Sequence, residues 1–378
     1  MRMNIIAISN QSYPKGMAGT MRIRLFTEYF ANKELIKVLI INKDNGINPK
    51  IGIYNKVEYR LFYNWKYFLL IPFVYPLLIL NFLIKEKKRN KKNILFIYDG
   101  LSILSIQFAI LGKWLGYKIV TDVVEDYALV LVRTRMQKLK LYFHSKFIRL
   151  YPKIIDGTIV ISKYLDEKYL KLMGSKKVIY VPISAKNIVD KFKKDKISNQ
   201  ISFLYAGSYG QKDGIESLID AFVCIHKEFP ETSLLLVGKI SQNIIKYLEN
   251  HKGIEIIGFL PDEEFYKFIT LNAEVLCMNR TSSLYANAGF PFKLGEYLAT
   301  GNAVMSSEVS NISDYLENKK DILFYKPSNQ NSLINAMKLL ITDCKLREDI
   351  GKSGYLKCIE YFNPETNGKK ALDFLAKI

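Results

Sequence analysis

The stretch "GFPFKLGEYLATGNAVMSS" (289–307) sets Lys293 and Glu296 one helical turn apart, just after a Gly-Phe-Pro turn and at the start of an otherwise apolar segment. In a helix this spacing puts both side chains on one face of the first turn. That is where unpaired N–H groups and the positive end of the helix dipole favour a bound anion. The same pair also fits a capped helix carrying a surface ion pair worth roughly 0.2–0.5 kcal/mol. Other chemistry finds little support. The four Cys form no C-x-x-C pair and the three His lie far apart, so neither a zinc cluster nor a disulfide framework is indicated, and a reducing compartment fits best. No Ser-His-Asp set stands out.

The elements that must position the Lys and Glu come in two similar runs. "NIIAIS" (4–9) reads as a strand, followed by the loop "NQSYPKGMAGT" with Gly16 and Gly19 and a helix from about Met21 to Asn32. Further apolar runs, "KVLIIN", "NILFIYD", "YKIVTDV", "GTIVIS" and "KVIYVP", alternate with helical patterns, as buried parallel strands do. The plan restarts at "ISFLYAG" (201–207) and continues through "SLLLVG", "IEIIGF", "EVLCMN", "NAVMSS" and "DILFYK". The Lys-rich "SAKNIVDKFKKDKISNQ" (184–200) reads as a linker, giving domains at 1–190 and 191–378, with the last helix, about 362–378, able to pack back on the first. Two doubly wound α/β domains facing across a cleft are expected.

Charge divides the halves. Residues 1–190 hold 32 Lys and Arg against 13 Asp and Glu, whereas residues 191–378 hold 23 of each, so the whole excess of +19 lies in the first half. It concentrates in "KEKKRNKK" (85–92) and between Arg133 and Lys153. Such polarity points to one face turned toward an anionic surface rather than to uniform nucleic-acid binding. Directly before the first basic run, "YFLLIPFVYPLLILNFLI" (67–84) is uncharged and interrupted by two prolines and Asn81. It reads as a membrane-surface helix, a core helix or a span. "MNIIAIS" is too short for an export-signal core.

Taken in order, "YAGSYGQKDGIESLIDAF", "IGFLPDEEFYKFI" and "GFPFKLGEYLATGNAVMSS" resemble family 4 retaining glycosyltransferases of the GT-B fold, of the bacterial polysaccharide type; "TDVVEDY" and "DGTIVIS" in the first half follow the same order. The resemblance implies a nucleotide-diphosphate sugar as donor and a glycan or lipid-linked acceptor bound by the first domain. It implies that Glu296 accepts the ribose hydroxyls while Lys293, with Leu294 beside it, lies near the diphosphate. Gly207 lets the backbone approach the phosphates, and Lys212 meets charge growing on the leaving group, unless it is a solvated turn lysine. An Arg usual after the Gly is here Ser208, so that contact falls away or comes from Arg280. Phe259 and Leu260 meet the base through backbone groups. Gly16 and Gly19 join the site from the first domain.

Two positions depart from the family pattern. Ala288 stands where relatives often have a Glu touching the donor sugar, and Val124 where many have a His, leaving Glu125 and Asp126 as acidic candidates or as helix caps. The resemblance implies transfer with retention, the leaving diphosphate taking the acceptor proton, without a metal or other cofactor. The expected partners are the donor, the acceptor and an anionic membrane surface, not nucleic acid. The expected location is cytoplasmic, peripheral on the inner face of the membrane. The alternatives are a non-hydrolysing nucleotide-sugar epimerase and an inactive scaffold of the same fold.

Overall fold

The computed structural model describes residues 2–16, 18–41, 48–62, 71–130, 134–189, 192, 200–207, 209–210, 212–248 and 251–378. They form two compact units, Met1–Pro182 with Pro364–Ile378, and Ile183–Asn363.

In the first unit, strands β1 (Asn4–Ser9), β2 (Leu35–Ile40), β3 (Ile51–Tyr54), β4 (Val57–Leu61), β5 (Asn93–Tyr98), β6 (Lys118–Val123), β7 (Gly157–Val160) and β8 (Val178–Tyr180) build one sheet in the order β3-β4-β2-β1-β5-β6-β7-β8. All neighbours pair in parallel except β3 with β4. β1 and β5 are buried at every position, because helices cover both faces and an apolar run is then the stable composition. The β3–β4 hairpin, absent from the sequence reading, leaves alternate residues exposed and so lacks that signature. The C-terminal helix Pro364–Lys377 packs on the helix Ala18–Ala31, where Gly368 lies against the ring of Tyr29.

In the second unit, β9 (Ser202–Gly207), β10 (Ser233–Gly238), β11 (Ile254–Gly258), β12 (Val275–Met278), β13 (Ala303–Ser307) and β14 (Leu323–Tyr325) form a wholly parallel sheet in the order β11-β10-β9-β12-β13-β14. Its core packs Phe203, Tyr205, Phe222, Leu234 and Met337. The order is that of a dinucleotide-binding fold: the chain winds outward from β9 one way to β11 and the other way from β12 to β14, leaving a crevice beyond the carboxyl ends of β9 and β12. Ile183, Ala185 and Ile188, at the start of the stretch read as a linker, are buried in this unit, and Ala185 N–H donates to Phe362 O at 2.9 Å.

The apolar segment 67–84 is described from residue 71, as a helix Ile71–Glu86 with Pro76 inside it. Tyr75, Ile79, Phe82 and Leu83 turn to the core while Leu77, Leu78 and Ile84 remain exposed. No helix among the described residues is long and apolar enough to cross a membrane.

Candidate functional site

β9 ends at Gly207, beside the switch in strand order. A Cβ there would lie 2.7 Å from Lys293 Nζ and 2.8 Å from the Tyr205 hydroxyl, so only glycine leaves the lysine its place. Gly238, ending β10, is held at φ +128°, and a Cβ on it would meet the Gly207 carbonyl oxygen at 2.1 Å. The backbone is therefore bare on both strands where they emerge.

The loop from β9 to the helix Ile215–Glu228 is tied by its own side chains. Gly210 N–H donates to Asp213 Oδ2 at 2.9 Å, and Gly214 adopts φ +54° at the helix N-cap. Asn279, directly after β12, clamps that loop from the far side of the switch: its Nδ2 donates to Asp213 O and Gly214 O, and its Oδ1 accepts from the Tyr325 hydroxyl. Asp213 is thereby fixed and buried.

Lys293 reaches this carboxylate from the helix Phe292–Leu298. Its Nζ lies 3.3 Å from Asp213 Oδ1, donates to the Tyr205 hydroxyl at 2.8 Å, and sits 4.1 Å from the Tyr205 ring centroid. Burial lowers the Lys293 ammonium to about 8; Asp213 works against that shift, while Arg280 and Lys212 add to it. For Asp213 burial opposes ionisation, but the charges of Lys293 and Arg280 and the Gly210 N–H outweigh it and hold the carboxyl below its ordinary value. One acid thus stands among three cations. An incoming phosphate would find positive charge here that is already oriented.

The remaining residues of the second unit lie around the same carboxyl edge. Lys212 lies 4.9 Å from the Tyr285 ring, its carbonyl accepting from Thr281 N–H. Arg280 is buried, with its N–H on Ser307 Oγ and Nη1 on Ala286 O. Glu296 is half-buried and accepts at Oε1 from the Tyr266 hydroxyl, 3.1 Å away. Leu294 is fully buried and serves packing. Phe259 is exposed at the end of β11 with Lys239 Nζ 5.5 Å from its ring, and Leu260 follows half-buried. Asn287, beside the buried Ala288, accepts at Oδ1 from Ser310 N–H. Ser208 lies outside the described residues. Gly301, at φ +74°, closes the turn after the Lys293 helix, its N–H donating to Leu298 O.

In the first unit the glycine loop follows β1. Gly19 falls in the first turn of the helix Ala18–Ala31, where a Cβ would meet the Tyr98 hydroxyl at 2.9 Å; at Gly16 it would meet Thr20 Oγ1 at 2.2 Å. Both glycines admit neighbouring side chains of their own unit. Asp126 is buried, caps the turn Tyr127–Leu129 through Ala128 N–H, and binds Lys168 Nζ at 2.6 Å and the Tyr164 hydroxyl at 2.9 Å. Glu125 beside it is half-buried, and Val124 is buried. Asp99, at the end of β5 with φ +65°, accepts from the Tyr127 hydroxyl and from Asn10 Nδ2. Sequence reasoning passed over Asp213, Asn279 and Asp99. The Lys-Asp-Gly turn holding Asp213 was the one signal available.

Residues 187–357 match the family described as Glycosyl transferases group 1. An uncharacterized glycosyltransferase of Methanocaldococcus jannaschii is 24% identical over 233 residues, which is 59% of this chain and 59% of that protein, so the match spans well under two thirds of the relative. Among solved structures, sucrose-phosphate synthase from Thermosynechococcus elongatus aligns with a TM-score of 0.77 at 16% identity, over 100% of this chain and 99% of that one. HepE of Anabaena, solved with UDP and glucose, aligns with a TM-score of 0.75 at 14% identity over 100% of both chains. The fold of this protein is GT-B, with two Rossmann-like α/β sheets.

Proposed function

We propose that the chain is a retaining glycosyltransferase of family 4 that moves a sugar from a nucleoside-diphosphate sugar to a glycan or lipid-linked acceptor in the assembly of a bacterial surface polysaccharide. The observation that carries this reading is Lys293, fixed by Asp213 against the bare Gly207 backbone at the switch point of a group 1 domain. HepE, which shares the fold, was solved with UDP-glucose, which supports a nucleotide sugar as donor.

In this reading the diphosphate lies against Gly207 and takes the charges of Lys293, Lys212 and Arg280, while Glu296 accepts from the ribose hydroxyls. The bond from the anomeric carbon to the diphosphate breaks as the bond to the acceptor oxygen forms on the same face. The acceptor proton passes to the departing diphosphate, whose negative charge the lysines stabilise. The lysines make a divalent metal dispensable, so turnover in excess chelator is the expected result. The first unit, which holds the chain's charge excess, meets an anionic membrane on the cytoplasmic side, where a lipid-linked acceptor would be presented.

A thermal-shift panel of nucleotide sugars, followed by nucleotide release with a lipid-linked glycan acceptor, tests the reading. A donor that raises the melting temperature and turns over only with acceptor supports it. If no nucleotide sugar stabilises the protein, the reading fails.

A further inference from the structure

We propose that the outer face of two neighbouring helices, Ile71–Glu86 and Ser105–Trp114, is the surface by which the first unit docks on an anionic lipid bilayer. The proposal rests on the reading that this unit meets a membrane, and it names the side chains that do so.

The helices lie side by side. The Tyr117 hydroxyl, just beyond the second helix, donates to Leu83 O of the first at 2.7 Å, and Lys87 Nζ reaches Leu115 O. Each helix has a normal buried side, and Gly112 brings the second close onto Leu95 of β5. The opposite side is unusual. Ile110 and Trp114, four residues apart, share one side of the second helix, and Ile103 is exposed in the turn that leads into it. Trp114 is 74% exposed. On the first helix Leu77, 70% exposed, and Ile84 lie seven residues apart, with Leu78 beside them.

Charge identifies the occupant. Lys85 lies in the last turn of the first helix, Lys88 and Arg89 follow in the loop after it, and Lys113, paired with Asp156 at 2.6 Å, flanks Trp114; all four are exposed. The one acid in this part of the first helix, Glu86, is drawn to the other side by Lys37 at 2.9 Å. Two copies set face to face would bring like-charged rims together. An anionic bilayer instead offers headgroup charge to the lysines and an acyl boundary to the leucines and isoleucines, and an amphipathic indole suits the level between them.

The test is flotation with vesicles of phosphatidylcholine containing or lacking phosphatidylglycerol, using the full chain. Leu77→Ser, Ile110→Ser and Trp114→Ser together should lower partition onto the anionic vesicles more than about tenfold, since each buried CH₂ contributes about 0.8 kcal/mol. Donor-induced thermal shift should be unchanged, which shows that the variant is folded. In a Trp65→Phe background, Trp114 fluorescence should shift to the blue on vesicle binding. If the parent binds no anionic vesicle, the membrane reading itself fails. If the parent binds and the triple variant binds equally, the membrane reading stands and this face is not the docking surface. If the parent dimerises in sedimentation and the triple variant does not, the face is a self-association surface and the proposal is overturned.

Discussion

Lys293 Nζ stands 3.3 Å from Asp213 Oδ1 across 80 residues of chain, and the carboxylate is the nearest counter-charge for an ammonium that also feels Arg280 and Lys212. Burial has lowered this lysine to about 8, so below that pH it is charged and above it the charge is lost. The kcat/KM for donor should therefore fall as pH rises past about 8. Asp213→Asn removes the carboxylate that helps hold the proton on and should move that limb to lower pH, while Asp213→Glu should restore much of it. A pH profile whose alkaline limb stays in place in Asp213→Asn would show that Lys293 is not the titrating group.

Glu296 and Tyr266 form the second coupled pair, with the phenol donating to Oε1 at 3.1 Å. An ionised carboxylate can accept from this phenol and still take both ribose hydroxyls. Glu296→Ala should weaken nucleotide binding by about 1.5–3 kcal/mol, the range for hydrogen bonds to a charged group, and Tyr266→Phe by about 0.5–1.5 kcal/mol. Calorimetric titration of the nucleoside diphosphate checks both. Equal losses would mean that Tyr266 touches the ligand itself.

What the sequence revealed of the molecule depended on how local the signal was. Except at the edge strand β11, the parallel strands of the second unit are apolar runs bounded by turn residues, and burial on both faces requires that composition. The hairpin Ile51–Leu61 escaped because alternate residues of its strands are exposed, which leaves no continuous apolar run. Lys293 and Glu296 were legible because they share one helical turn, whereas the Asp213 partner lies on another element, where a Lys-Asp-Gly turn marks a loop but not its contact with Lys293. Asp126 shows the converse. Its position in "VVEDY" offers an acidic candidate or a cap, and in the fold it accepts from Ala128 N–H, Lys168 and Tyr164. Nothing in the sequence singles out Ile110 and Trp114, which only the packing shows to be exposed.

A buried ion pair in the first unit gives a prediction about stability. Arg22 donates to Asp122 through Nε at 2.7 Å and Nη2 at 2.8 Å, and its Nη1 donates to Pro182 O at 2.8 Å. Both side chains are essentially inaccessible to solvent. Asp122→Ala would leave the guanidinium buried without its counter-ion, and should cost about 3–5 kcal/mol. A double change, Arg22→Met with Asp122→Leu, should recover a large part of that loss, because burying both charges is itself expensive. Urea midpoints of the parent, single and double variants give the comparison. A double variant no more stable than Asp122→Ala would mean that the shape of the pair, rather than its charge, matters at this site.

Asp99 carries the last prediction, in which stability and pH are linked. Its carboxyl is pushed up to about 7: burial is the main cause, Glu125 and Asp122 add to it, and the hydrogen bonds from Tyr127 and Asn10 oppose it. Its Oδ1 is buried and accepts no hydrogen bond. An unfolded Asp titrates near 3.9, so between about 4 and 7 the folded state keeps a proton that the unfolded state has released. Folding stability from this group is therefore intact below about pH 4 and is lost as pH rises through 7. Asp99→Asn keeps an oxygen for the Tyr127 hydroxyl and removes the charge. It should raise the melting temperature more at pH 8 than at pH 5, because the loss accumulates as pH rises from about 4 to 7. Thermal unfolding at the two pH values decides the point. A gain of equal size at both would trace the effect to packing, whereas a loss at pH 8 would show that the ionised carboxylate is stabilised by its neighbours.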